Sequence, residues 1–161
     1  MTLEQRIQRL EDIEAIKYLM GTYFRCLDCK QWEELKECFA EDVKTAYSDG
    51  KLSFGNRDET IDFFRKNMPP TQLTMHQGHT PEIDITSDTT AKAYMYLHDV
   101  LVVTDYDTGL TGGAIYTIEY KKINDKWVIS FIGYNRTYEE TWPRKNPEKR
   151  KITANMFAKK D

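Results

Sequence analysis

The sequence predicts an α+β fold: a strongly curved antiparallel sheet with helices packed on one face. Two observations carry this. Up to about residue 67 apolar residues recur every three or four positions, and from about residue 73 the period drops to two. Helices gathered first, with a meander of long strands after them, distinguish this pattern from the alternating units of a parallel sheet. A sheet so curved forms a cone, whose mouth is a natural pocket.

The clearest helix spans about residues 3–27, where Ile7, Leu10, Ile13, Ile16, Met20, Tyr23 and Leu27 form one apolar stripe. A second helix follows at about 31–39, with Trp32, Leu35 and Phe39 on one side. Residues 43–54 read as a short hairpin turning at Ser48-Asp49-Gly50. A third helix, about 57–67, has Asp58 near its start and is stopped by Met68-Pro69-Pro70. Four strands are then expected at 73–85, 91–103, 111–122 and 126–138, with turns at Thr86-Ser87-Asp88, Asp105 to Gly109 and Asn124-Asp125. From residue 143 the chain is basic and polar and is expected to be loosely held. One domain over residues 1–142 and a basic tail over 143–161 follow.

With 161 residues, 40% apolar and 30% charged, the composition is that of an ordinary soluble domain with room for a real core. A net charge of −3 leaves no electrostatic footprint for nucleic acid. No apolar run approaches membrane-spanning length, so no membrane partner is expected. The opening residues, Met1 to Arg6, are charged and periodic and unlike a signal peptide, so a cytoplasmic location is expected. Cys26 and Cys29 have the two-residue spacing of redox and zinc motifs, with Cys38 the only other thiol. A zinc site needs a fourth ligand, and a redox pair should open a helix rather than close one, so reduced thiols and no metal are expected.

The residue most at odds with its surroundings is Asp99. It lies on the strand face formed by Ala91, Ala93, Met95, Leu97, Leu101 and Val103. A buried, unpartnered carboxylate costs several kcal/mol, so it must be paired, hydrogen-bonded or protonated. Groups so perturbed gather at working sites, although a structural Asp near a strand end is the plainer alternative. His76 and His79 fall on opposite faces of an extended segment and cannot readily share a metal; His76 can reach the cone interior. A histidine needs a group that fixes its tautomer and stabilises its imidazolium, which a buried carboxylate does. Pairing Asp99 with His76 answers both needs, whereas His98 points away from Asp99. Tyr23, on the apolar stripe, buries its ring and must find its hydroxyl a partner inside, either an oxyanion across the pocket or a backbone carbonyl. Asp28 ends the first helix, where the dipole disfavours a carboxylate, so position alone favours a turn residue. Tyr47 and Arg136 are further candidates at the rim. With no nucleophile elbow and no phosphate-cradling glycine loop, cofactor-free proton transfer is the chemistry left.

These residues carry a resemblance. Asp12-Ile13-Glu14-Ala15-Ile16, Tyr23, Asp28, Trp32 and Phe39-Ala40-Glu41-Asp42-Val43 resemble the opening of SnoaL-like domains. Those domains belong to the nuclear-transport-factor-like cone superfamily, with scytalone dehydratase and ketosteroid isomerase. Tyr23 to Asp28, Tyr47-Ser48, Met75-His76, Gly78 to Glu82, Gly112-Gly113-Ala114 with Tyr116, and Gly133-Tyr134 with Arg136 and Tyr138-Glu139-Glu140 resemble, more closely, the bile acid 7α-dehydratases of gut anaerobes. The likeness runs to about residue 142. It implies a homotrimer, no metal or redox cofactor, and a substrate that is a 7α-hydroxy-3-oxo-Δ4 bile acid thioester of coenzyme A, converted to the 4,6-dienone. It also implies catalytic positions for Tyr23, His76 and Asp99, with Asp28, Tyr47 and Arg136 as pocket residues. The rivals are another cone-fold dehydratase or isomerase of a polycyclic ketone and a non-catalytic binding or assembly module.

Overall fold

The structure, a computed structural model, describes residues 1–149 and 151–155. Helix α1 (Leu3–Asp28) opens on a capping box, in which Thr2 and Gln5 satisfy each other's backbone N–H groups. Its inner face buries Ile16, Met20, Tyr23, Cys26 and Leu27, but Ile7 and Leu10 stay exposed. The apolar stripe is therefore covered only from its middle onward. Asp12 marks the changeover: buried, it accepts the Trp127 indole N–H at 2.8 Å and the Lys122 ammonium at 2.7 Å. These bonds pin α1 to the end of the sheet, and Arg9, one turn earlier, reaches the carbonyl of Ile85 at 3.0 Å.

Helix α2 (Trp32–Lys36) is shorter than expected, because Phe39 opens strand β1 (Phe39–Tyr47). Phe39 is 2% exposed and packs edge-on against Tyr23, and a ladder bond from Ile129 N–H to Cys38 O at 2.9 Å already joins the sheet there. Sheet pairing overrides a helical spacing of three and four apolar positions. Strand β2 (Leu52–Phe54) pairs back on β1 across a turn in which Ser48, Asp49 and Gly50 all have positive φ. Helix α3 (Arg57–Asn67) is capped by Asn56, whose side chain accepts from Glu59 N–H at 2.9 Å, and ends before Pro69.

The meander is β3 (Gln72–Ser87), β4 (Thr90–Val103), β5 (Thr108–Ile123) and β6 (Lys126–Pro143). The order is β2-β1-β6-β5-β4-β3, so β3 is an edge. All neighbours on this path are antiparallel except β1 and β6, which run parallel, so the expected antiparallel sheet is in fact mixed. The α+β cone itself stands, with helices packed against a curved sheet. The segment after 143 is not simply loose: a 3-10 turn (Pro147–Lys149) leads to β7 (Lys151–Asn155), which pairs with β6 over Tyr138 to Thr141. The rest of the expected basic tail, Arg150 and residues 156–161, lies outside the described residues. Among the described residues, no helix is long and apolar enough to cross a membrane.

Register positions the site. On β4, Ala91, Ala93, Met95, Leu97 and Asp99 are all buried, as the alternation predicts. His76 of β3 lies directly opposite Asp99, and Asp99 lies opposite Gly112 of β5.

Candidate active site

The end of α1 hangs over the edge strand β3, and this sets the central pair. Asp28, the last helical residue, meets His76 twice: Oδ1 lies 2.6 Å from the imidazole Nδ1, and Oδ2 accepts the His76 backbone N–H at 2.9 Å. Thr74 donates its hydroxyl to Oδ1 at 2.8 Å. An edge strand has amides with no ladder partner, and a carboxylate at a helix end is a ready acceptor for one. Burial raises the Asp28 pKa, but the bonds from His76 and Thr74 outweigh it and hold the carboxyl below its usual range. With Nδ1–H directed at the carboxylate, neutral His76 keeps its lone pair on Nε2.

This arrangement corrects the expected dyad. Asp99 does not orient His76, although the two are cross-strand neighbours. It is taken by Arg136, whose Nη1 and Nη2 reach its two carboxylate oxygens at 2.5 and 2.7 Å. A planar guanidinium matches a carboxylate through two parallel charge-assisted bonds, which an imidazole cannot offer. The pair is deeply buried, so Arg136 is an interior residue and not a rim or surface charge. Burial pulls the guanidinium pKa down and Asp99 more than restores it, so Arg136 stays charged. Its Nε faces Glu139 at 3.3 Å without completing a well-directed hydrogen bond.

Gly112 lets this happen. A Cβ there would sit 2.5 Å from Arg136 Nη1 and 3.0 Å from Asp99 Oδ1, so the guanidinium crosses β5 over bare backbone. Gly112→Ala is expected to displace the pair and cost about 1–3 kcal/mol, measured by chemical denaturation. Unchanged stability would mean that the pair needs no such gap.

Opposite His76 the cavity is floored by phenols. Tyr23, Tyr47 and Tyr116 are almost wholly buried, and their hydroxyls neighbour one another. Burial drives all three pKa values far above the usual phenol range, so each is a neutral donor. Tyr23 therefore has side-chain neighbours rather than a backbone carbonyl. Tyr47, expected at the rim, is 4% exposed. Its hydroxyl lies near that of Tyr23 yet completes no well-directed hydrogen bond, which leaves a buried donor aimed into the cavity. The cavity measures about 190 Å³ and brings together Tyr23, Tyr47, His76, Asp99, Tyr116 and Arg136; Asp28 stands behind His76.

A larger groove, of about 710 Å³, runs along α1 past Asp12, Lys122 and Trp127. Its buried carboxylate is already paired, and it gathers no acid–base set, so the cone cavity is the candidate site. His98 turns away from the cavity, towards Gln77 and Thr111. The three cysteines are unbridged; Cys26 and Cys38 are buried, and burial pushes the Cys38 thiol up to about 12. Among the described residues, no group of three His, Cys, Asp or Glu side chains is placed to hold a metal ion.

Thr74, Tyr116 and Gly112 are not among the site residues the sequence pointed to, although Gly112 and Tyr116 fall in the motifs that carry the resemblance. Alternation alone would have found two of them: Thr74 shares a strand face with His76, and Tyr116 shares the buried face of Ala114, Ile118 and Tyr120. Gly112 falls on the same buried face, but alternation gives no sign that a guanidinium crosses there.

The sequence profile of the SnoaL-like domain matches residues 8–132, most of the chain. The protein belongs to the SnoaL-like family. Its fold is similar to that of a putative scytalone dehydratase from Novosphingobium aromaticivorans DSM 12444, with a TM-score of 0.78 and 20% identity over 97% of this chain and 99% of that one. The hexachlorocyclohexane dehydrochlorinase LinA-type3 from Novosphingobium barchaimii LL02 superposes with a TM-score of 0.77 at 17% identity, covering 85% of this chain and 94% of that one. ActVI-ORFA from Streptomyces coelicolor matches with a TM-score of 0.66 at 12% identity, over 77% and 96% of the two chains. At these identities the likeness concerns the SnoaL-like fold.

Proposed function

We propose that this SnoaL-like protein is a lyase that eliminates water without a cofactor, and that its substrate is a 7α-hydroxy-3-oxo-Δ4 bile acid thioester of coenzyme A. The observation that carries the reading is the Asp28–His76 pair, set at the wall of a buried cavity floored by neutral tyrosine hydroxyls. The names of two fold neighbours, a dehydratase and a dehydrochlorinase, favour an elimination over other chemistry.

The chemistry follows from the residues. In a 3-oxo-Δ4 steroid the C6 proton is acidic, because its removal spreads charge through a dienolate to the C3 oxygen. His76 Nε2 takes that proton, and Asp28 stabilises the imidazolium that forms. Tyr23, with Tyr47 beside it, donates hydrogen bonds to the C3 oxygen as it gains charge. The dienolate then collapses: the C3 carbonyl and C4–C5 double bond re-form, the displaced pair makes the C6–C7 double bond, and the C7–O pair leaves with the hydroxide, to which His76 returns its proton to give water. Asp99 and Arg136 cancel each other's charge and shape the wall. In this reading Asp99 leaves the acid–base pair, and its place is taken by Asp28.

A cavity of about 190 Å³ holds about six waters' volume. That suits one ring and its oxygen, whereas the steroid reading places both the A ring, at Tyr23, and the B ring, at His76, inside, so the lining would have to move apart to admit it. The same volume favours a second reading, a smaller cyclic hydroxy-ketone as substrate. A cytoplasmic location belongs to the proposal, and so does the homotrimer. Leu73, Met75, Tyr94 and Tyr96 expose apolar surface on the outer sheet face that other copies would cover.

Incubation with the 7α-hydroxy-3-oxo-Δ4 thioester should produce the longer-wavelength absorbance of a 4,6-dienone. Folded protein and authentic substrate with no absorbance change would overturn the bile acid reading. Turnover of a smaller hydroxy-enone alone would establish the second.

A further inference from the structure

We infer that Lys30 is a positioning residue for the acid–base pair, acting through Thr74 to hold Asp28 ionised and His76 ready to accept a proton. The inference rests on the proposed role of Asp28 and His76, and it extends the site to a residue outside the cavity.

Three hydrogen bonds link Lys30 to the pair, two of them meeting at one oxygen of Asp28. The Lys30 ammonium donates to Thr74 Oγ1 at 3.1 Å, Thr74 donates its hydroxyl to Asp28 Oδ1 at 2.8 Å, and the same oxygen meets His76 Nδ1 at 2.6 Å. An ammonium can only donate and a carboxylate can only accept, so the Thr74 hydroxyl accepts from Lys30 and donates to Asp28, which fixes the sense of the relay. Lys30 is half-buried, and the loss of water lowers its pKa while the Asp28 charge works against that loss.

The backbone adds a second, independent observation. Lys30 has φ +59°, and two bonds close the end of α1 around it: Lys30 N–H to Leu27 O at 3.3 Å and Gln31 N–H to Cys26 O at 2.8 Å. This is a Schellman ending with Lys30 at the left-handed position that glycine normally fills. A lysine there is held against its own steric preference, and its side chain is carried to Thr74. Stability alone would favour glycine.

Other groups facing the pair leave this role open. Tyr23 of α1 and Tyr116 of β5 share the cavity with His76, and Cys29 lies near Lys30. Across the cavity Asp99 is neutralised by Arg136, with Glu139 behind, while α3 contributes only Phe63, Phe64 and Asn67. A positive charge beside the pair opposes its protonation. Without that charge the pair takes up its proton at higher pH, and the base form is lost sooner as the pH falls.

The test compares wild type with Lys30→Met, Lys30→Gly and Lys30→Arg. In the Met and Gly variants the acidic limb of the kcat/KM profile should move up by about 0.5–1 pH unit, and Arg should restore it. Lys30→Gly should also raise Tm by about 2–4 °C, since glycine relieves the left-handed backbone. A more stable yet mistuned enzyme is a combination that a purely structural role does not produce. The His76 imidazole resonances report the same proton uptake without substrate, with His79 and His98 as internal references, so failure of the proposed substrate leaves the inference testable. An unmoved His76 titration in both Met and Gly variants would overturn it.

Discussion

Replacing His76 with alanine is expected to lower kcat/KM by about 10²–10⁴-fold, the usual contribution of a general base. The reason is geometric. Nε2 is the basic atom at the cavity wall, and it is basic because Nδ1–H is committed to Asp28 at 2.6 Å. Asp28→Asn should therefore be nearly as damaging, since an amide can reverse the tautomer and cannot stabilise an imidazolium. The same change at Asp99 should cost far less in turnover, because Asp99 faces Arg136 and not the imidazole. Steady-state kinetics on the three variants decides the matter. If Asp99→Asn lost as much activity as Asp28→Asn with the fold intact, the assignment of the pair to Asp28 would be wrong.

The second large effect concerns stability. Arg136→Met should destabilise the protein by about 3–5 kcal/mol, because it leaves the Asp99 carboxylate buried without its partner. For a chain of this size that corresponds to a Tm lower by about 10 °C or more. The double variant Asp99→Leu with Arg136→Met removes both charges and should recover much of the loss, since a buried ion pair is worth little more than a well-packed apolar pair. Thermal denaturation of the single and double variants measures the difference. Equal losses in both would mean that the guanidinium contributes by packing on Tyr134, whose ring it overlies at 5.0 Å, and not by neutralising Asp99.

The correction at Asp99 shows how far strand patterns carry an argument. Alternation placed Asp99 on the buried face and identified it as a charge in need of a partner, and it is buried at 3% exposure. Alternation did not decide His76, because the apolar residues of its strand, Leu73 and Met75, lie on the other face and are both exposed. Choosing between His76 and Arg136 required knowing that β5 passes between β4 and β6 with a bare glycine at the crossing. By position alone Asp28 reads as a turn residue, because a helix end disfavours a carboxylate, and only the resemblance implies a place in the pocket. Its real partner, the edge amide of β3, is 48 residues away in the chain.

By itself, then, the sequence determined the elements and their faces: the three helices, the four long strands, and the burial of Tyr23 and Asp99. These follow from periodicity, which is a local property of the chain. Only the tertiary structure decided the partners. It gave His76 to Asp28, Asp99 to Arg136 and Lys30 to Thr74, joined β1 to β6 in parallel, and turned Phe39 from a helix into a strand. Partner choice depends on which of several competing charges arrives at hydrogen-bonding distance, and strand order and the small gap at Gly112 set that distance.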